Sequence, residues 1–267
     1  MKKYKVIVSD YDGTLVNDKK EITPKTLKAI EEFIVGGGTF VVCTGRMTTG
    51  IDHYLKKYNL KCLLATYNGG ELTDLSSGKT LYSYPIPTEI SYRLFKKFEE
   101  LGIYGHCYDK GTFVSLASDT RIEYYQKMQG TTPIIVDKIS DYIIKNNVLS
   151  VKLLAFDDKE KLDANFLEIK NSFPELEVIR SNDEQIDINL KGVSKGNSLN
   201  FIAKELGVEV SEILAVGDAG NDLPMLKVAG FSVAMGNASE DIKKVCDAVT
   251  IDNNSDGIAY LIEKYCI

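Results

Sequence analysis

The chain has 267 residues, 44% of them hydrophobic and 26% charged, with a formal net charge of -6. That length supports one large domain or two smaller ones with a substantial buried core. The acidic balance argues against a general nucleic-acid binder or a polybasic membrane binder, and no run approaches the roughly 20 apolar residues of a membrane span.

The start, Met1-Lys2-Lys3-Tyr4, carries positive charge, but the apolar run behind it is too short for a signal peptide and leads straight into Asp10. Residues 4–9 are apolar and rich in β-branched side chains, the pattern of a buried parallel strand. Two carboxylates, Asp10 and Asp12, stand where that strand ends, with the turn Gly13-Thr14 behind them. Ligands of open α/β sheets bind outside the carboxyl ends of strands. Acids clustered there point to a metal ion, acid–base chemistry or a carboxylate nucleophile.

Thr23-Pro24 reads as an N-cap followed by proline in the first turn of a helix. Leu27, Ile30 and Ile34 fall on one face of that helix, and Gly36-Gly37-Gly38 stops it. Thr39–Cys43 is a second buried strand, ending at Thr44-Gly45-Arg46, and 62–66 a third, ending at Tyr67-Asn68-Gly69-Gly70. This series implies a parallel, doubly wound sheet.

From about 84 to 191 the pattern changes. Residues 89–101 read as a helix followed by strands near 103–107 and 112–116; 160–173 read as a helix followed by strands at 177–180 and 185–190. Helix–strand–strand twice over suggests an antiparallel sheet with helices on one face. Residues 118–147 between the repeats have room for further helices. Beyond 191 the alternating style returns: a helix over 195–206 stopped by Gly207, a strand over 212–216 ending at Gly217-Asp218-Ala219-Gly220-Asn221-Asp222, strands at 231–235 and 248–251, and a last helix over 256–265. The expected fold class is thus α/β, a doubly wound parallel-sheet core over 1–83 and 192–267. An inserted α+β domain over 84–191 would form a lid over the strand ends.

The five cysteines (Cys43, Cys62, Cys107, Cys246, Cys266) are scattered and form no C-x-x-C pair, so zinc and thioredoxin-like chemistry are not expected. Reduced thiols in a cytoplasmic protein are. His53 and His106 lack metal-pair spacing. The first reads as a surface helix residue, the second as a lid residue that could at most touch substrate, and Tyr124-Tyr125 as packing. Asp10, Asp12 and Glu21 match three positions of a calcium-binding EF-hand loop, but Leu15 occupies the glycine position and a strand precedes the loop.

Four polar sites therefore lie at strand ends or a helix start: Asp10-x-Asp12-Gly13-Thr14, Thr44-Gly45-Arg46, Lys195-Gly196 and Gly217-Asp218-x-x-Asn221-Asp222. This set, in this order and over essentially the whole chain, resembles the motifs of the haloacid dehalogenase-like phosphatases, and the insertion is similar to the cap of their Cof-type branch. The resemblance implies a Rossmannoid core, magnesium as cofactor and a small phosphorylated metabolite as substrate, with sugar phosphates ahead of phosphorylated cofactors. It implies no nucleic acid, membrane or obligate protein partner.

By the same resemblance, Asp10 is the nucleophile and a metal ligand, and Asp12 the acid–base residue, binding the metal through its backbone carbonyl. Asp218 completes the metal site. Thr44 donates to a phosphoryl oxygen beside the backbone N–H groups of Tyr11 and Gly45, and Lys195 supplies a fixed positive charge. Asn221 contacts phosphate or metal-bound water, Asp222 orients Lys195 or that water, and Arg46 is a salt-bridge or substrate-contact residue. Asn68 and the glycines after it either face the cleft or only make a turn.

Phosphoryl transfer makes the set intelligible. A phosphate monoester dianion repels a carboxylate, so attack needs charge neutralisation and in-line positioning. Within the superfamily, P-type ATPases carry threonine where this chain has Asp12, which leaves their phospho-enzyme long-lived; an acid favours a phosphatase or a phosphomutase. A catalytically silent metabolite-binding homologue is the other alternative.

Overall fold

The computed structural model describes residues 4–267, apart from the side chain of His53; the charged start at residues 1–3 and the surface position expected of His53 lie outside the described residues. β1 (Val6–Ser9) is buried throughout, as an apolar strand covered on both faces must be. In α1 (Pro24–Val35), Thr23 Oγ1 accepts the Thr26 N–H at 3.1 Å, and Pro24 occupies the first turn, where no N–H is needed. β2 (Thr39–Cys43), α2 (Thr49–Lys56) and β3 (Leu63–Thr66) follow.

The structure adds two strands that the sequence pattern does not show, β4 (Glu71–Asp74) and β5 (Thr80–Ser83). β4 pairs antiparallel with β3, Leu64 facing Thr73. Four-residue strands of mixed polarity offer too little alternation to stand out from a turn-rich loop.

The insertion runs α3 (Thr88–Leu101), β6 (Tyr104–Asp109), β7 (Thr112–Leu116), α4 (Ile122–Gln129), β8 (Ile134–Val136), α5 (Ile139–Asn146), β9 (Lys152–Phe156), α6 (Lys159–Ser172), β10 (Leu176–Asn182) and β11 (Gln185–Leu190). The simple repeat is corrected by β9, which precedes α6 and lies inside the sheet, order β10-β11-β9-β6-β7-β8. It is buried at all five positions although it opens on a lysine, because Lys152 Nζ donates to Asp187 Oδ2 of β11 at 2.7 Å; that leaves only a four-residue apolar run for the sequence to show. Pairing is antiparallel except between β7 and β8.

The chain returns with α7 (Lys195–Leu206), β12 (Ile213–Gly217), α8 (Leu223–Val228), β13 (Phe231–Ala234), α9 (Glu240–Val245), β14 (Ala248–Val249) and α10 (Gly257–Tyr265). The eight-stranded sheet has the order β14-β13-β12-β1-β2-β3-β4-β5 and is parallel from β14 to β3. From β1 the chain winds to one side through β2 and β3, then returns on the other side at β12. The strand order thus reverses at β1, the place where such sheets open a crevice for ligands.

By contacts the chain divides into two units. One holds the chain through Gly45, Asp52–Tyr82 and Ser194–Ile267; the other holds Ser83–Val193 together with Arg46–Ile51. In the first, Val6, Val8, Val41, Ala215, Leu199 and Ile202 pack in one cluster. In the second, Leu94, Phe98, Ile143 and Ile169 from α3, α5 and α6 pack on Cys107, Val114, Leu153 and Ile188 of the sheet. The opposite face is not bare of helix, as one-sided packing would have it: Tyr125 of α4 lies against His106, Phe113 and Phe156 there.

His106 belongs to that face and is fully buried. Its Nε2 lies 3.0 Å from Asp119 Oδ2 and 3.0 Å from Ser115 Oγ. A carboxylate only accepts, so Nε2 carries the hydrogen, an assignment made from the network. Nδ1 is buried with no protein partner. Burial pushes the His106 pKa below its usual value, outweighing the pull of Asp119. Burial also works against the Asp119 carboxylate, but hydrogen bonds from His106 and the Arg121 N–H outweigh it and hold its pKa down.

Both shifts mean that the folded chain binds fewer protons than the unfolded one. Stability is complete above the ordinary histidine value of 6.5 and falls as pH drops below it through the folded values. Urea denaturation at about pH 7.5 and about pH 5 should show the lower midpoint in acid. His106→Phe, which suits the aromatic surroundings, should narrow that gap; an unchanged gap would place the acid sensitivity elsewhere.

Candidate active site

Asp10 follows β1 directly, and its N–H donates to the Val216 carbonyl of β12 at 3.0 Å. The carboxylate is therefore anchored in the crevice where the strand order reverses. Lys195 opens α7 behind the N-cap Ser194, whose Oγ accepts the Asn197 N–H at 3.2 Å. Its Nζ donates to Asp10 Oδ1 at 2.5 Å and to Asp222 Oδ1 at 2.7 Å. Asp10 is 6% exposed, Lys195 4% and Asp222 0%.

Asp222 has a second task. Its Oδ2 accepts the backbone N–H groups of Asp218 and Ala219, both at 3.1 Å, and so shapes the turn after β12. That turn presents Asp218, whose Oδ1 accepts the Thr14 hydroxyl at 2.8 Å. Gly13 lets the two loops meet: its φ is +78°, and a Cβ there would stand 2.5 Å from Asp218 Oδ2.

The charges do not balance locally. Oxygens of Asp10, Asp218 and Asp222 lie within 4.8 Å of one another, with Lys195 as their ammonium partner. Burial pushes the Asp10 pKa up to about 7; Lys195 opposes this, while the charges of Asp222 and Asp218 add to it. Burial likewise raises Asp218 against the Thr14 hydrogen bond. For Lys195, burial works against the charge but Asp10 and Asp222 outweigh it, so its pKa rises.

A cation would relieve the surplus. Asp222 already serves Lys195 and two N–H groups, so Asp10 and Asp218 are the carboxylates with lone pairs to offer. An all-oxygen set of this kind suits a hard divalent ion such as magnesium. A calcium loop fits poorly, because Asp10 faces Lys195 and Leu15 is core, 3% exposed.

The other residues singled out by sequence stand as follows. The Asp12 side chain is outside the carboxylate–lysine cluster, 39% exposed, with Lys20 Nζ on its Oδ1 at 2.7 Å. Tyr11 is buried, and its carbonyl accepts the N–H groups of Leu15 and Val16, tightening the turn. Thr44 is 3% exposed at the end of β2. Its N–H donates to the Ala65 carbonyl at 2.9 Å and its own carbonyl accepts the Asn68 N–H at 3.0 Å, so Asn68 and Gly69 make a left-handed turn that ties two strand ends. Gly45 follows, and Arg46 begins the short segment grouped with the second unit. Asn221 is exposed on the 3-10 turn Gly220–Asp222.

Three site residues escaped the sequence reading. Thr14 reads in the sequence only as part of a turn, yet its hydroxyl donates to Asp218. Ser198, one helical turn after Lys195, donates to the Lys195 carbonyl at 2.6 Å and lies 3.6 Å from Cys43 Sγ, whose pKa burial raises to about 11. Asn237 donates to the Gly13 carbonyl at 2.9 Å. Its one signal was a polar residue at the end of a strand already expected, in Met235-Gly236-Asn237.

A family model described as haloacid dehalogenase-like hydrolase matches residues 7–262. A crystal structure of a haloacid dehalogenase-like hydrolase from Bacteroides thetaiotaomicron is 30% identical, covers 98% of this chain and 99% of its own, and superposes with a TM-score of 0.85. A Thermotoga maritima protein is 29% identical, with 99% and 98% covered and a TM-score of 0.85. The 5-amino-6-(5-phospho-D-ribitylamino)uracil phosphatase YcsE of Bacillus subtilis is 27% identical over 98% of this chain and 96% of its own.

The buried pairs yield a stability test. Lys195→Met keeps an unbranched chain one atom shorter but leaves Asp10 and Asp222 without their counter-charge. The variant should lose about 3–5 kcal/mol in urea denaturation. A loss under about 1 kcal/mol would show that the carboxylates are balanced by something other than this lysine.

Proposed function

The chain belongs to the haloacid dehalogenase-like hydrolases, and on that premise we propose that this phosphatase hydrolyses small phosphorylated metabolites with the help of magnesium, through an aspartyl-phosphate intermediate. The observation that carries the proposal is Lys195 held between Asp10 and Asp222, with Asp218 beside them at the switch point of the sheet.

Asp10 is the nucleophile. Its carboxylate attacks phosphorus, the P–O bond to the leaving group breaks, and Asp12 delivers a proton to the departing oxygen. Asp12 then takes a proton from the water that attacks the aspartyl-phosphate, which releases inorganic phosphate, returns Asp10 as a carboxylate and leaves Asp12 protonated for the next cycle. The half-exposed position of Asp12 suits a group that exchanges protons with substrate and water.

Lys195 holds Asp10 in place and offsets negative charge as the phosphoryl group arrives. Thr44, with the N–H groups of Tyr11 and Gly45, holds phosphoryl oxygens. Asn221 joins them from its exposed turn, and Arg46 supports from the neighbouring segment. Asp222 keeps Lys195 charged and pointed at Asp10. Asp10, the Asp12 carbonyl and Asp218 would hold magnesium, which supplies Lewis-acid charge neutralisation for the phosphate.

Sugar phosphates lead as substrates, followed by phosphorylated cofactors. The Bacillus subtilis relative, named for a phosphoribitylamino compound, supports a monoester of that size. We assign substrate choice to the inserted segment 84–191 as a cap, which builds its own six-stranded sheet and its own hydrophobic core. The free thiols, four of the five buried, support a cytoplasmic location. Among the described residues no helix is long and apolar enough to cross a membrane.

A phosphate-release panel of metabolite monoesters tests the chemistry. The wild type should release inorganic phosphate with no isomerised product; an isomerised product would make it a phosphomutase instead. Asp10→Asn should abolish release, and excess chelator should do the same without unfolding the chain. Turnover that survives both would sink the mechanism, and no turnover by the wild type on any monoester would favour a silent homologue. Exchanging 84–191 for a relative's segment should change the preferred monoester while keeping magnesium dependence. An unaltered preference would remove the cap from substrate choice.

A further inference from the structure

Asn237 stands on the loop after β13, at the same sheet edge as Asp10 and Asp218 because β1, β12 and β13 run parallel. Both ends of its amide are engaged. Nδ2 donates to the Gly13 carbonyl at 2.9 Å and, more weakly, to Asp218 Oδ2 at 3.4 Å; Oδ1 accepts the Asn253 N–H at 3.2 Å. Two acceptors on one side and a donor on the other fix the orientation of the amide.

Asn253, 7% exposed, continues the link. Its Nδ2 donates to the Val16 carbonyl at 3.1 Å and to Asp18 Oδ1 at 3.3 Å. The loop that follows Asp10 is thereby held at Gly13 and at Val16 by two asparagines more than 200 residues further along the chain. The close approach requires a glycine before Asn237, since a Cβ on Gly236 would stand 2.7 Å from the Asp252 nitrogen and 2.8 Å from the Ile251 carbonyl carbon.

Asp218 consequently has a neutral donor on each oxygen, Thr14 on one and Asn237 on the other. Neutral donors fix the rotation of a carboxylate without cancelling its charge, whereas a lysine in the same place would compete with a metal ion. Partners of this kind around a metal ligand are each worth about 10–100-fold in affinity. We propose that Asn237, braced by Asn253, is a positioning residue that holds Asp218 and the Gly13 turn in a single geometry and thereby sets the affinity of the site for magnesium. The inference rests on the metal reading of the preceding subsection.

Calorimetric titration of magnesium into the substrate-free protein tests it. Asn237→Ala should weaken binding about 10-fold while the metal-free melting temperature stays within a few degrees. The magnesium concentration for half-maximal phosphate release should rise in step, and kcat at saturating magnesium should largely recover. Asn253→Ala, which leaves Asp218 untouched, should act in the same direction more weakly, and it decides the matter if Asn237→Ala does not fold. Unchanged magnesium affinity overturns the proposal, as does weakened affinity that merely follows a fall in overall stability. Asp218→Asn separates the two readings. If it binds magnesium like the wild type, the metal site itself is misassigned. If it loses magnesium while the asparagine variants do not, only the positioning role fails.

Discussion

The ion pairs of Lys195 with Asp10 and Asp222 set the terms for the rest of the site. An ammonium group 4% exposed keeps its charge only with partners in contact. Two carboxylates supply that contact, and a third, Asp218, lies close enough to add its own repulsion. Each neighbouring feature follows from that crowding. Asp222 is steadied by two backbone N–H groups, Asp218 by hydroxyl and amide donors, and the glycine at 13 clears the space in which the loops meet. What remains is excess negative charge on oxygens clustered at the strand ends, the setting in which a divalent cation and a phosphate dianion are mutually useful.

The sheet makes this crowding possible. Asp10 and Lys195 are 185 positions apart, and Thr14 and Asp218 204 apart. They meet because β1 lies between β2 and β12, so that the end of the first strand faces the end of a strand made after the whole insertion. The carbonyl of Val216 anchoring the Asp10 N–H is the local expression of that order. The long insertion leaves this pairing intact, since it enters after β5 at one side of the sheet and returns into α7.

Elements with strong local signals were legible from sequence: β1 and β2 as buried apolar runs, α1 through Thr23-Pro24, α7 through its apolar stripe and Gly207. The elements missed share a reason. β4 and β5 have four residues each, α8 and α9 six each, too short for a periodicity to declare itself. β9 opens on Lys152, a charge buried only because Asp187, 35 residues away, pairs with it, so its buried apolar run is just four residues long. Asn237 was invisible for a different reason. An asparagine at a strand end is common, and nothing nearby in sequence shows that Gly13 and Asp218 will be within its reach.

The sequence by itself determined which segments become strands and helices, where the alternating pattern is interrupted, and which polar residues stand at strand ends. These depend on side-chain periodicity, caps and turn residues, all of them local. Only the tertiary structure decided that Lys195 lies between Asp10 and Asp222, that the Asp12 side chain stays outside that cluster beside Lys20, and that Asn237 holds Gly13 beside Asp218. Those contacts depend on strand order and on how much water the packed loops exclude, which are properties of the assembled sheet rather than of any stretch of chain.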